Sequence, residues 1–141
     1  MRAALAHDDA RISCSALIAD YAYLVDHRQF ARAVELFTPD GRIERPDLVS
    51  NGPGEILAHW TSRPATVVTC HVCSPPSFRE LARDSAMAVT YFTLYHLTHD
   101  GDGTPPMNDP VALGEFHDSF VLTELGWRFK TRVVRAALKR S

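Results

Sequence analysis

The hydrophobic period of this chain changes once, and that change constrains its fold more than any other feature. Over residues 9 to 25, Cys14, Leu17, Ile18, Tyr21, Leu24 and Val25 recur at helical spacing on one stripe. Residues 27 to 37 repeat the pattern with Phe30, Ala33, Val34 and Phe37 on one face. "TPDG" at 38–41 carries turn chemistry, "RIER" predicts a short strand, and "NGPG" opens a third helix through "EILAHW" with Pro53 near its first turn. Beyond it the period falls towards two. "ATVVTCHVCS", "SAMAVTYFTLYHLT", "VALGEFHDSFVLTE" and "WRFKTRVVRAAL" predict four strands. In the last, Trp127, Phe129, Thr131 and Val133 share one face; Arg128, Lys130 and Arg132 take the other, which is expected to meet solvent. Pro75 and Pro76 should interrupt the first long strand, and "ELG" is a hairpin turn.

Helices first and strands afterwards predict an α+β fold, a curved antiparallel sheet forming a cone around the N-terminal helices with a central pocket. A length of 141 residues suits a single domain over 1–141, long enough to bury a core. The net charge of −2 gives no pull towards nucleic acid or an anionic membrane. The basic residues near the C-terminus alternate with apolar ones, the pattern of a solvated strand face. No run approaches the roughly 20 apolar residues of a spanning helix, and "MRAALAHDDARIS" does not resemble a signal peptide. The chain is therefore expected to be cytoplasmic. Two metal-like patterns fail on geometry. Cys70 and Cys73 of "CHVC" point to opposite faces of a strand. "DGDG" at 100–103 lacks a calcium loop's terminal acid, since the twelfth position from Asp100 is Val111.

Asp26 divides the first two helices. "DHRQ" sets it at an N-cap with Gln29 three residues on, a capping-box pattern worth about 1 kcal/mol. A residue at such a junction can also face a pocket, and both readings stand. Of seven histidines, His71, His96 and His117 fall inside predicted strands, which a curled sheet can bring to one cavity. Parity in the third long strand groups Gly114, Phe116, Asp118 and Phe120 on its more apolar face, and Glu115, His117, Ser119 and Val121 on the other.

Four segments, "YAYLVDHRQFARAVELFTPDG", "TCHV", "GEFHDSF" and "GWRFKTR", resemble the SnoaL-like members of the nuclear transport factor 2 superfamily over nearly the whole chain. The resemblance is to scytalone dehydratase, bile-acid 7α-dehydratase and hexachlorocyclohexane dehydrochlorinase, which eliminate a small molecule from a compact ring. It implies that Asp26 and His71 form an Asp–His pair, that His96 is a second pocket histidine, and that Tyr21 occupies a position of catalytic use. It leans to His117 as a lining residue where strand parity leans to Asp118, so both are retained, with Phe116, Trp60 and Tyr91. The position before Asp26 is Val25 where scytalone dehydratase has tyrosine, and the dehydrochlorinase's arginine finds no secure equivalent.

These readings lead to a cofactor-independent lyase, dehydratase-like, acting on a small cyclic or polyketide-like molecule. His71 would remove a proton beside a carbonyl, Asp26 would orient it, Tyr21 would polarise the carbonyl, and His96 would protonate the leaving hydroxyl. Such a mechanism requires no metal or organic cofactor. An isomerase or cyclase of the ketosteroid isomerase or SnoaL type shares the proton abstraction. A non-catalytic ligand-binding or assembly module shares only the fold. The expected partners are a small ligand and other copies of the chain, as a dimer or trimer. Tyr91, Thr93, Tyr95 and Leu97 form a mixed face that suits a subunit contact.

Overall fold

The structure is a computed structural model and describes residues 2–140. Helix α1 (Arg2–Asp26) is followed by a short α2 (Phe30–Val34), β1 (Phe37–Glu44), β2 (Val49–Asn51) and α3 (Gly52–Thr61). Then come β3 (Val67–Cys73), β4 (Ser77–Leu81), β5 (Ser85–Thr98), β6 (Ala112–Thr123) and β7 (Gly126–Lys139). The seven strands form one sheet in the order β2-β1-β7-β6-β5-β3, with β4 also paired to β5. The sheet is curved, unclosed and mostly antiparallel, and the helices occupy its concave side, as the change of period requires. One pairing departs from that pattern: β1 runs parallel to β7.

Local chemistry explains the boundaries. β5 pairs with β4 near its start and with β3 further on. Pro75 and Pro76, which have no N–H to donate, lie between those two partners. Gly126, at φ 102°, makes the tight β6–β7 turn. The second helix is shorter than its apolar spacing predicts, because "TPDG" belongs to β1 instead of ending a helix. The β1–β7 register shifts between Phe37 and Arg42, which accommodates those residues.

"DHRQ" ends a helix; it does not begin one. Asp26 is the last residue of α1. The Arg28 N–H donates to the Val25 carbonyl at 3.1 Å and the Gln29 N–H to the Leu24 carbonyl at 2.8 Å, while Arg28 takes the left-handed conformation at φ 59°. This is a Schellman C-cap, with arginine where glycine is usual. The N-cap of α2 is Gln29, so Asp26 caps nothing and its carboxylate is free for other partners.

The core runs along the seam between α1 and the sheet. Cys14, Leu17, Ile18, Tyr21 and Val25 are buried, as their stripe predicts. Tyr21 is the hub: its ring lies edge-on to Phe37, Trp60, Phe116 and Phe129 at 5.8 to 6.2 Å between centroids.

Candidate active site

The C-cap turns the chain so that Asp26 faces β3. Strand alternation puts Thr69, His71 and Cys73 on the concave side. Three bonds result. The Asp26 Oδ1 lies 2.7 Å from His71 Nδ1 and accepts from the Thr69 hydroxyl at 2.9 Å; Oδ2 accepts from the His71 backbone N–H at 2.7 Å. Only 11% of the Asp26 side chain and 10% of the His71 side chain remain exposed. A carboxylate so held orients the imidazole with the proton on Nδ1 and the lone pair on Nε2. Thr69 was legible as a same-face neighbour two residues before His71, but parity alone gave no reason to select it.

Aromatic side chains occupy the space beside the pair. Phe92 and Phe116 stack at 4.1 Å, and the His71 ring lies 5.8 Å from the first and 6.2 Å from the second. Gly114 makes room for Phe92, since a Cβ at position 114 would sit 2.3 Å from its ring. Four concavities of about 370 to 650 Å³ lie elsewhere on the molecule, and neither Asp26 nor His71 lines them.

Next to this wall stands a buried ion pair. Arg132 donates from Nε to Asp118 Oδ1 at 2.7 Å and from Nη2 to Oδ2 at 2.9 Å, and neither side chain is exposed. Its guanidinium packs over the rings of Phe116 at 3.7 Å, Tyr21 at 4.2 Å and Phe129 at 4.6 Å. The third nitrogen, Nη1, is buried without a hydrogen-bond partner. Burial pushes the Asp118 carboxyl up, against the pull of Arg132, while Asp118 holds the arginine's proton more tightly than usual despite its burial. The short bidentate geometry, with both carboxylate oxygens accepting, is that of an ion pair. Arg132 is not on the solvent face. Phe129 pairs with Phe120 and Thr131 with Ser119, so Lys130 is an extra residue in a bulge that inverts the parity from Thr131 to Ala136.

The other candidates separate. Asp118 and Phe116 face inward, although Asp118 is committed to Arg132. His117 is on the outer face, its Nε2 2.7 Å from Glu115 Oε1, so it does not line the interior. Tyr91 is 54% exposed on the outer face, and Phe92 takes the inward place assigned to it. Trp60 is fully buried and packs among Tyr21, Phe30 and Phe37. His96 pairs across the sheet with Thr69, on the concave side, and is exposed. Tyr21 is buried between Trp60 and Arg132. Cys73, two residues beyond His71, is a thiol whose ionisation burial pushes up. Cys70 is exposed on the opposite face, as the strand reading of "CHVC" requires. No group of three His, Cys, Asp or Glu side chains is placed to hold a metal among the described residues.

A curved, unclosed sheet wrapped around N-terminal helices, with an Asp–His pair on its concave side, defines a cystatin-like α+β cone. The SnoaL-like domain family matches residues 7–133, and the chain belongs to it. Among solved structures, a candidate scytalone dehydratase from Novosphingobium aromaticivorans is 18% identical, with a TM-score of 0.77 over 91% of this chain and 84% of its own. ActVI-ORFA from Streptomyces coelicolor is 19% identical, with a TM-score of 0.74 over 89% and 96%. LinA is 17% identical, with a TM-score of 0.81 over 96% and 91%. At these identities the likeness is one of fold. No curated protein matches the chain in sequence. No helix among the described residues is long and apolar enough to cross a membrane.

Proposed function

We propose that the protein is a lyase that eliminates water from a small cyclic or polyketide-like molecule, with His71 as its base. The observation that carries this reading is the 2.7 Å Asp26–His71 bond in a nearly dry, aromatic-walled setting. Asp26 keeps the proton on Nδ1, so Nε2 accepts a proton from the carbon beside a substrate carbonyl. Electron density moves to the carbonyl oxygen, which Tyr21 and the free Nη1 of Arg132 are suited to stabilise. When the enolate re-forms the carbonyl, the carbon–oxygen bond to the leaving hydroxyl breaks. His96 is exposed, so the His71 imidazolium supplies the proton and water departs. The aromatic wall suits a flat ring, which would enter by displacing Phe92 from its place over Gly114.

The kinship with SnoaL-like domains supports a small ligand in this interior. An isomerase would use the same base, and the product's mass separates the two: loss of water for a lyase, none for an isomerase. Soaking or co-purifying a ligand identifies the substrate. Asp26→Asn and His71→Gln should then each slow a single turnover by about 10²-fold or more. Full activity in either variant would sink the assignment.

A further inference from the structure

Asp26 holds its charge in an unfavourable place. It is the last residue of α1, a helix of 25 residues, and the aligned peptide dipoles leave a partial negative charge at that end which opposes a carboxylate. Its support comes from β3. Among the described residues, its oxygens are met by the Thr69 hydroxyl, the His71 backbone N–H and the His71 Nδ1. Two of these groups belong to His71, so they move with the residue that Asp26 has to orient. Thr69 is the independent anchor. Its hydroxyl donates to Oδ1 at 2.9 Å, the same oxygen that lies 2.7 Å from Nδ1. A carboxylate oxygen accepts through two lone pairs close to the carboxylate plane. With Thr69 on one and the imidazole on the other, that plane is fixed.

The surroundings commit Thr69 to this bond. The residue is 8% exposed, so bulk water hardly competes for its hydroxyl. Its branched Cβ restricts χ1, and strand alternation sets it on the concave side two residues before His71. The hydroxyl spends its one proton on Asp26 instead of on a main-chain carbonyl. The consequence falls on His71. A neutral imidazole carries its proton on either nitrogen. With the proton on Nδ1, Nε2 is a base; with the proton on Nε2, it is not. A carboxylate turned out of plane loses its hold on that choice.

We propose that Thr69 is a positioning residue: its hydroxyl sets the plane of the Asp26 carboxylate and so keeps the His71 proton on Nδ1. The inference rests on the reading of His71 as the base and adds the group on which that base depends. Valine has the shape of threonine without the hydroxyl. Serine keeps the hydroxyl and lacks the methyl group.

The test is 15N NMR of the imidazole nitrogens in histidine-labelled protein, in alkaline buffer. His71→Gln identifies the signals of His71 among those of the seven histidines. In the wild type its two nitrogens should give widely separated signals, with the proton on Nδ1. Thr69→Val should draw the two signals together as the second tautomer becomes populated, and Thr69→Ser should keep them apart. Melting temperatures show which variants are folded, and Thr69→Ala serves if Thr69→Val is not. Lost packing alone would not exchange the proton between ring nitrogens, nor would serine rescue it. A wild-type proton on Nε2, wild-type signals in the folded valine or alanine variant, or a serine variant that behaves like the valine one overturns the proposal. With a substrate in hand, Thr69→Val should lower kcat about tenfold and leave KM nearly unchanged; an unchanged kcat would count equally against it. Failure of the base assignment looks different: His71→Gln would then keep turnover while the nitrogen signals still respond to Thr69.

Discussion

At the scale of single residues, Asp26 concentrates the most consequence. As an N-cap it would tolerate asparagine, because the two are equal caps. As the acceptor of three hydrogen bonds it does not, since an amide offers one oxygen and turns an N–H towards a donor. Asp26→Asn should cost about 1–3 kcal/mol of stability, read from urea denaturation, in addition to its effect on turnover. A variant as stable as the wild type would mean that the three bonds contribute little. Arg132 and Asp118 form the second coupled unit. Asp118→Asn leaves a buried guanidinium without its counter-charge and should destabilise by about 3–5 kcal/mol. Replacing both, as Asp118→Leu with Arg132→Met, should cost less than the single change. A double variant weaker than the single one would show that the pair gives net stability.

At the scale of elements, the close approach of β5 to β6 shapes the site. A Cβ at position 114 would meet Phe92 at 2.3 Å and the Arg135 carbonyl at 2.9 Å. Gly114→Ala should cost about 1–3 kcal/mol and lift Phe92 off Phe116. Phe92→Leu in the same chain should recover part of the loss, measurable as a double-mutant cycle. Additive effects would mean that the ring is not what the methyl group meets. Within α1, Cys14 is buried, and burial first, then the charges of Asp118 and Asp9, pushes its thiol up from 9.0 to about 12. A folded-state value above the unfolded one contributes nothing unfavourable below pH 9. It removes stability as pH rises from 9 towards 12, because only the unfolded chain then releases the proton. The melting temperature of the wild type should fall more steeply over that window than that of Cys14→Ala. Parallel curves would count against it.

At the scale of the whole molecule, the convex face of the sheet leaves apolar side chains uncovered. Val72, Met87 and Tyr91 are 56%, 46% and 54% exposed there. We expect this face to pack against other copies of the chain, since apolar groups grouped on one sheet face are usually covered. Light scattering should give two or three times the 15.7 kDa of one chain. Tyr91→Lys should lower that mass. A single-chain mass for the wild type at micromolar concentration would remove the expectation.

Much of this was legible before any coordinates. The order of elements, the α1 stripe and the inward face of β6 follow from side-chain periods, because helices and strands repeat at 3.6 and 2 residues wherever they occur. The pairing of Asp26 with His71 came from resemblance, since no local rule joins residues 45 positions apart. Three things had to wait for the tertiary structure. Whether "DHRQ" starts or ends a helix depends on where the chain goes next, and the left-handed Arg28 turns it towards β3. Whether Arg132 meets water or Asp118 depends on one bulged residue, Lys130, which has no mark in the local pattern but reverses the side chains that follow it as far as Ala136. Gly114 and Phe92 meet across two strands, so only the register brings a missing Cβ under that ring. Periodicity is local and survives in one dimension; register, bulges and turn handedness are settled by packing between segments distant in the chain.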